Sequence, residues 1–273
     1  MIALRILIIG LGREGASLGL ALRAGGARQV VGHDPDPSTR EAALKAEAVE
    51  SVVGEIDPTS SDLIVLALPA AQAPAMIGEI APHLPDQATL MDLAPVMQPS
   101  MVAAASAGIL PRFVPAHAVP STPDPPLGAG RFRGASVLIG SSVEPGTPGA
   151  VVADLWSSLG AVPAPVAPTI HDALFALTHD LPVLSATALV RTLRRTGGLT
   201  RLLAPASRAL LEDATRAAGA PSETLAINAP KLLPALELLE REVRRLRHAL
   251  EEGGPELGHL LEEARQFRQE LVR

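Results

Sequence analysis

Apolar and polar residues follow two different periods along the first 167 residues of the chain. Short runs rich in Val, Ile and Leu predict buried strands, and the apolar residues three or four positions apart between them predict helices. The predicted strands are Ile6–Ile9, Gln29–His33, Val49–Val53, Ser61–Pro69, Ala88–Asp92, Arg112–Pro115, Ser136–Ile139 and Ala161–Pro165. The predicted helices are Glu14–Ala24, Thr39–Ala46 with Ser38 as its N-cap, Ala73–Ala81, Gln98–Ala107 and Pro148–Leu159. Strands that alternate with helices predict an α/β fold with a Rossmann-type doubly wound sheet.

Beyond Ala167 the pattern is wholly helical, so we place a domain boundary there, between residues 1–167 and 168–273. Pro182 is expected to end or kink the first helix of the second domain. The helices predicted in this domain are His171–Leu181, Val183–Arg195, Leu199–Ala218, a long helix through Leu232–Leu250, and Glu256–Leu271 after Gly253-Gly254-Pro255.

One helix of the second domain carries a narrow apolar seam with charged residues beside it. The seam residues recur at spacings that alternate between four and three: Leu232, Leu236, Leu239, Val243, Leu246 and Leu250. Such a seam is typical of a helix that packs on another helix. We expect it to pack against a second copy and form a homodimer, and a helical hairpin within one chain is the open alternative.

A glycine-rich turn directly follows the first predicted strand, in the order Gly10-x-Gly12-x-x-Gly15. Gly10 would allow the tight bend from strand to helix, Gly12 would let backbone N–H groups approach a pyrophosphate, and Gly15 would let the helix pack closely on the strand. The helix N-terminus would face the phosphates with its partial positive charge. The turn and its context predict a dinucleotide-binding domain.

Side chains around this turn define the cofactor more closely. Asp34 ends the second strand, nineteen residues past Gly15, where a carboxylate accepts hydrogen bonds from ribose hydroxyls and repels a 2′-phosphate. The predicted cofactor is therefore NAD rather than NADP, although Asp34 could instead only open the Asp-Pro-Asp-Pro turn. Further predicted cofactor-binding residues lie at the start of the first helix or at the carboxyl end of the fourth predicted strand: Arg13, Glu14, Leu68 and Pro69.

Composition excludes several other classes of protein. The net charge is −6 and no Lys/Arg cluster is interleaved with aromatic residues, which argues against a nucleic-acid partner. The chain has no cysteine, which excludes disulfides and thiolate chemistry, and it has neither a metal-ligand pattern nor a Gly-x-Ser-x-Gly motif. The apolar N-terminus is a first strand, and no run approaches the length that spans a bilayer. We expect a soluble, cytoplasmic protein without a bound metal.

The seven histidines are the candidate acid/base residues. Four lie on predicted surfaces or turns: His33, His83, His248 and His259. His171 and His179 lie on the first helix of the second domain, and His117 begins the Pro- and Gly-rich segment Ala116–Arg133, predicted as a loop over the sheet edge. A histidine there could reach the nicotinamide and take a proton during hydride transfer from a carbon that bears a hydroxyl.

Eight segments in this order resemble the prephenate/arogenate dehydrogenases of tyrosine biosynthesis. They read IIGLGREGASLGLAL, VVGHDPD, DLIVLALP, MDLAPV, PAHAVPSTP, LWSSLGA, LTHDLPVLSATALV and EDATRAAG. The first three are shared with many NAD enzymes, and the later ones carry the specific likeness. The resemblance implies an NAD-binding domain, a helical domain that forms the dimer, and oxidative decarboxylation of a small, prephenate-like substrate.

The resemblance also implies roles for four residues. His117 occupies the place of the family histidine that hydrogen-bonds the substrate's ring hydroxyl, so it is the predicted catalytic residue. Arg216, in Thr215-Arg216, matches the arginine that holds a substrate carboxylate. His179 matches the family's Ser-His-Leu-Pro-His segment with one residue of slippage, and Thr122 follows His117 in its segment; both are predicted to bind substrate.

One histidine of the Ser-His-Leu-Pro-His segment is lost in this chain, and three further family positions are changed. The family's Asp-x-x-Ser-Val-Lys segment has Pro95 and Met97 in place of its serine and lysine, and Pro123 replaces an acidic residue. The family serine orients the histidine, so Ser121, Thr122 or a water would have to replace it here. These changes leave two alternatives open: an NAD-dependent dehydrogenase of another small hydroxy acid or imine, or a catalytically decayed NAD-binding dimer.

Overall fold

The computed structural model describes residues 4–122, 125–194 and 222–271. Its strands are β1 (Arg5–Ile9), β2 (Gln29–His33), β3 (Ser51–Val52), β4 (Leu63–Leu66), β5 (Thr89–Asp92), β6 (Phe113–Val119), β7 (Ser136–Ile139) and β8 (Val162–Pro165). They form one eight-stranded sheet in the order β3-β2-β1-β4-β5-β6-β7-β8. Neighbouring strands are parallel except β6 and β7, which are antiparallel. The predicted α/β fold is confirmed.

Helices connect most of these strands and dominate the described chain after β8. They are α1 (Arg13–Ala24), α2 (Pro37–Lys45), α3 (Ala73–Ile80), α4 (Gln98–Ser106), α5 (Pro148–Ser158), α6 (Pro168–Phe175), α7 (Leu181–Leu193), α8 (Ser222–Ile227), α9 (Ala229–Glu252) and α10 (Glu256–Leu271). A π-helical segment, Ala176–Asp180, joins α6 to α7. The helix predicted at Leu199–Ala218 lies outside the described residues.

The central strands of the sheet, such as β4 and β5, are buried on both faces, as their continuous apolar runs require. Along β1, Ile6 and Ile8 belong to one core cluster, and Leu7 and Ile9 belong to the other. Both clusters are built from residues that are almost inaccessible to solvent, and burying each such side chain contributes about 1.5–3 kcal/mol. This core fixes the carboxyl ends of the parallel strands at one edge, where ligands bind in open α/β sheets.

Two local predictions are wrong. Helix α2 begins at Pro37, and its N-cap is Asp36 rather than Ser38, because the Asp36 carboxylate accepts the Ser38 N–H at 3.0 Å. Strand β6 continues past Pro115 to Val119, because residues 116–119 pair with the antiparallel strand β7. The first part of the segment predicted as a loop is therefore sheet.

The helix from Pro168 to Leu193 is longer than predicted. Pro182 does not end it, because Pro182 lies in the first turn of α7, directly after the π-helical segment, where a missing N–H is tolerated. The continuous helix has 26 residues and a mean hydropathy of 1.5 in its most apolar window. The expectation that no run could span a membrane is therefore wrong in length and composition, although a single such helix is weak evidence for a membrane span.

The described residues divide into two compact units. Residues 4–175 and 222–228 belong to the first, and residues 176–194 and 229–271 belong to the second. The domain boundary at Ala167 stays a prediction. In the second unit, α9 packs on α7 and α10. It ends at Glu252, directly before Gly253, whose φ of +61° favours glycine.

Candidate active site

The three glycines of the first turn have the geometry that a dinucleotide requires. Gly10 has a φ of +95°, and a Cβ there would lie 2.4 Å from the Ala67 carbonyl oxygen. A Cβ on Gly15 would lie 1.9 Å from the Gly10 carbonyl oxygen, so only glycine fits. A Cβ on Gly12 would have no atom within 4 Å. The turn therefore leaves open space at the N-terminus of α1, where backbone N–H groups bind phosphate.

Asp34 lies beside this turn at the end of β2. Its carboxylate accepts the Leu11 N–H at 2.8 Å and the Asp36 N–H at 3.0 Å. Asp34 therefore both braces the glycine turn and opens the turn that follows. Each carboxylate oxygen can accept a second hydrogen bond, which leaves acceptor capacity for a ribose hydroxyl.

The other predicted cofactor residues surround the same space. Arg13 and Glu14 are exposed in the first turn of α1. Arg13 donates to the Pro125 carbonyl at 2.8 Å, and Glu14 lies 3.9 Å from Arg131, so both side chains contact the connection between β6 and β7. Leu68 is half-buried after β4, and Pro69 is exposed.

The predicted catalytic histidine lies on strand β6 rather than on a loop. His117 pairs with Leu138 of β7, and β6 lies beside β5, with Pro115 opposite Asp92. Its half-buried ring is therefore just beyond the carboxyl end of β5, on the edge of the sheet that also carries the glycine turn.

A second histidine, from α6, contacts the His117 ring. His117 Nδ1 lies 3.1 Å from His171 Nε2, and His171 Nδ1 lies 2.9 Å from Asp172 Oδ1. His171 and Asp172 are each 1% exposed. The three side chains form one hydrogen-bonded chain that begins in the protein core and ends at the half-buried His117.

Asp172 also fixes the start of α4. Its Oδ1 accepts the Met97 N–H at 2.8 Å, and its Oδ2 accepts the Gln98 N–H at 2.9 Å. The carboxylate therefore supplies the cap that α4 lacks from its own N-cap side chain, at the positive end of the helix dipole. Asn228 Nδ2 donates to the Asp172 carbonyl at 3.2 Å and ties α8 to the same point.

Phe175 completes a cluster of three rings. Its ring is 5.2 Å from that of His117, nearly perpendicular to it, and stacks on His171 at 6.1 Å with an interplanar angle of 9°. Two orthogonal contacts restrict the tilt of both imidazoles.

Packed apolar side chains occupy two of the changed family positions, those of the serine and the lysine. Met97 is fully buried and Pro95 is half-buried. The Met97 sulfur is close to Gly140, where a Cβ would approach it to 2.9 Å. The family's lysine position is therefore filled by a packed thioether.

A buried carboxyl lies under this region, at the end of β5. Asp92 is 1% exposed, and its Oδ1 accepts the Ala94 N–H at 3.1 Å. Neither Asp92 Oδ2 nor the Ser100 hydroxyl has a partner in hydrogen-bonding geometry among the described residues. Burial raises the pKa of Asp92 from 3.8 to about 6, and the neighbouring Ser100 and Ala94 offset only part of this effect.

The predicted substrate residues are placed less completely. Thr122 is exposed in the connection after β6, and Arg216 lies outside the described residues. His179 belongs to the second unit, where its Nδ1 lies 3.1 Å from Oδ1 of the buried Asp180. Ser121, considered as a partner for His117, donates instead to the Arg133 carbonyl at 3.3 Å.

Sequence reasoning gave His171 only as a candidate acid/base residue on a helix of the second domain, and it gave Asp172 and Phe175 no role. The structure places His171 in the first unit, where its ring contacts His117 of β6. The adjacent His-Asp pair near a helix start was the available signal. Its spacing to His117, 54 residues away, could not show that the two rings meet.

Known sequence families match both parts of the chain. Residues 18–138 match the family described as prephenate dehydrogenase, nucleotide-binding domain. Residues 167–265 match the family described as prephenate dehydrogenase, dimerization domain. No curated protein matches the chain in sequence.

Solved structures share its fold. Prephenate dehydrogenase from Aquifex aeolicus, in complex with hydroxyphenyl propionate and NAD+, has a TM-score of 0.84 and 22% identity over 99% of both chains. Synechocystis arogenate dehydrogenase has a TM-score of 0.80 and 23% identity over 98% of this chain and 99% of its own. A putative prephenate dehydrogenase from Corynebacterium glutamicum has a TM-score of 0.86 and 23% identity, over 100% and 89%.

The glycine turn, the fold and the nucleotide-binding match agree on one class of protein, an NAD-dependent dehydrogenase. Both matched families lead to the same group within that class. The chain belongs to the prephenate dehydrogenase family.

Proposed function

We propose that this dehydrogenase catalyses the NAD-dependent oxidative decarboxylation of prephenate or arogenate, in tyrosine biosynthesis. The observation that carries the proposal is the place of His117. Its imidazole lies at the carboxyl edge of the sheet, on the edge that also holds a turn shaped for a diphosphate. This is the edge where dinucleotide and substrate meet in open α/β sheets.

NAD, when bound, supplies the acceptor for the hydride that leaves C4 of the substrate. Gly10, Gly12 and Gly15 would admit its diphosphate, with Arg13 and Glu14 beside it. Asp34 would accept hydrogen bonds from its ribose, and Leu68 and Pro69 would flank it after β4. These assignments follow from the open space at Gly12 and from the acceptor capacity of Asp34.

His117 would act on the C4 hydroxyl. Its imidazole would accept a hydrogen bond from the hydroxyl and share its proton as the carbon–oxygen bond gains double-bond character. The electron pair of the bond to the ring carboxylate would then make the ring aromatic as carbon dioxide leaves, and the phenol oxygen keeps the proton. Arg216 would hold a substrate carboxylate, and His179 and Thr122 would contribute further substrate contacts.

A steady-state assay tests this function. The purified protein is given NAD with prephenate or with arogenate, and the rise in absorbance of the reduced nicotinamide is followed. Turnover of either substrate, lost in His117→Asn, supports the proposal. NAD binding without turnover of either would contradict it and would leave two alternatives, a dehydrogenase of another substrate or a decayed NAD-binding dimer.

A dehydrogenase of another small hydroxy acid or imine is the second candidate. The observation that favours it is the apolar character of Pro95 and Met97, where the family pattern has a serine and a lysine. The same assay with a panel of hydroxy acids and cyclic imines decides, because turnover of prephenate or arogenate alone would exclude this candidate.

We also infer a soluble, cytoplasmic homodimer that forms through the helical unit. The first half of the α9 seam is covered, and its second half is exposed, with Val243 56% and Leu250 63% accessible. Sedimentation of Val243→Glu/Leu250→Glu should give a monomer where the parent protein gives a dimer. Val102→Glu is the matched control, because Val102 is 63% exposed on a helix of the other unit. A dimer in the double variant would place the interface elsewhere.

A further inference from the structure

Hydrogen-bond chemistry determines which atom is the donor in each of the two hydrogen bonds that link His117, His171 and Asp172. The Asp172 carboxylate accepts two backbone N–H groups at the start of α4, at 2.8 and 2.9 Å. A carboxylate in this position acts only as an acceptor. The hydrogen between Asp172 and His171, 2.9 Å apart, must therefore come from His171 Nδ1.

The donor in the second hydrogen bond, between His117 and His171, follows from the first. With its hydrogen on Nδ1, the neutral His171 ring has a lone pair on Nε2. His117 Nδ1, 3.1 Å away, must then donate to that lone pair. In the neutral ring of His117, the lone pair that remains is on Nε2.

We propose that His171 is a positioning residue for His117, which it holds in the Nδ1–H tautomer with Nε2 as the proton acceptor. This inference rests on the proposed function only for its catalytic consequence. Pro95 occupies the position of the family serine and has no hydroxyl to orient His117, whereas His171 Nε2 lies within hydrogen-bonding distance of His117 Nδ1. Asp172 acts through His171, because its negative charge stabilises the positive charge that the pair gains when a substrate hydroxyl shares its proton with His117 Nε2.

The surroundings of the two rings support this role. His171 is 1% exposed, which limits competition from water for its Nε2. Phe175 contacts both rings, nearly at right angles to His117 and parallel to His171. The ring planes are therefore restricted by packing, and the hydrogen bonds determine which nitrogen carries the hydrogen.

Nitrogen NMR of the histidine side chains tests the tautomers without any substrate. Spectra are recorded well above the ordinary imidazole pKa of about 6.5, and the two signals are assigned from His117→Asn and His171→Phe. Both rings should have hydrogen on Nδ1 in the parent protein. A parent His117 with its hydrogen on Nε2 would overturn the proposal.

Two substitutions at His171 separate hydrogen bonding from packing. In His171→Gln, the amide can donate to Asp172 and accept from His117 Nδ1, so the His117 tautomer should be retained. In His171→Phe, the ring volume is kept but no hydrogen bond is available, so His117 should lose its preference for Nδ1–H. Equal His117 signals in the two variants would contradict the inference. If the Phe variant fails to fold, the Gln variant decides alone, because a His117 hydrogen on Nε2 in that variant would also contradict the inference.

Activity supplies the second readout. His171→Phe should lower kcat by about 10²-fold or more, as the loss of tautomer control does in other histidine sites, and should alter the pH profile of kcat. His171→Gln should recover most of this loss, and both variants should bind NAD normally. His83→Phe is the matched control, because His83 is exposed on a surface turn. If the parent protein turns over no substrate, the proposed function fails while the NMR result still decides the role of His171.

Discussion

The glycine turn and the His117 cluster are two halves of the proposed active site, and they are specified in different ways. The turn is defined by backbone: Gly10 and Gly15 are required because a Cβ would meet carbonyl oxygens at 2.4 and 1.9 Å. The cluster is defined by side chains from β6 and α6, among which His117 and His171 are 54 residues apart. The first half keeps the pattern found in many NAD enzymes, whereas the second has lost the serine, lysine and acidic residue of its family.

This difference shows which part of a site can change without loss of the fold. A phosphate bound by backbone N–H groups constrains the residue type wherever a side chain would block the approach. A histidine needs only some partner in the correct geometry to fix its tautomer. In this chain His117 Nδ1 contacts the imidazole of His171, and under our proposal this contact takes the orienting role that the family serine would have had at Pro95.

Gly15→Ala should have the largest effect on the backbone-defined half. The added methyl would lie 1.9 Å from the Gly10 carbonyl oxygen, so α1 or β1 must move, and we expect a loss of about 3–5 kcal/mol in the free energy of unfolding. Urea denaturation measures this loss.

Gly12→Ala is the control for that experiment. A Cβ at Gly12 has no atom within 4 Å, so the unfolding midpoint should stay unchanged. The affinity for NAD should fall by about tenfold or more, because the methyl would enter the space for the diphosphate and weaken the charge-assisted hydrogen bonds there. Normal NAD affinity in Gly12→Ala would show that the diphosphate does not bind at this position.

The same contrast explains how much the sequence predicts. All eight strands were located, because buried parallel strands are continuous apolar runs and Gly10–Gly15 is a local motif. The end of β6 was missed, because its last residues are added by antiparallel pairing with β7, which no local pattern encodes. The partner of His117 was missed for the same reason: the contact with His171 depends on how α6 packs against the sheet.

His117→Asn tests the half defined by side chains. We expect kcat to fall by about 10²–10⁴-fold, since the amide cannot accept and return a proton as imidazole does. NAD affinity, measured by calorimetry, should be unchanged, because the glycine turn is independent of this side chain. Nearly full activity would mean that His117 is not the base and that this half of the site does not depend on the His117 side chain.

Asp92→Asn tests whether the region under the site is stabilised at low pH. Because the pKa of Asp92 is raised from 3.8 to about 6 in the folded protein, the folded state binds the proton more tightly than the unfolded state. Stability is then highest below pH 3.8 and falls as pH rises to about 6, by on the order of 3 kcal/mol.

The Asn variant should remove this dependence. Its amide is neutral, can accept the Ala94 N–H and can donate to the Ser100 hydroxyl, both of which lie beside Asp92. Urea midpoints of the two proteins should be similar near pH 4, and the variant should be the more stable at pH 8. A difference that does not change with pH would show that Asp92 is charged throughout this range.

Asp34→Ser should have the smallest effect. It tests whether the Asp34 side chain, beside the glycine turn, determines the preference for NAD over NADP. Without the carboxylate, the turn loses the acceptor for the Leu11 N–H and the negative charge that would repel a 2′-phosphate. We expect about tenfold weaker NAD binding and a relaxed preference toward NADP, both measured by calorimetry. Asp57→Ser is the matched control, because Asp57 caps a short surface turn in the same way, through the Thr59 N–H at 2.9 Å. An unchanged preference in Asp34→Ser would place the ribose contact elsewhere and would leave Asp34 with the structural task of bracing Leu11.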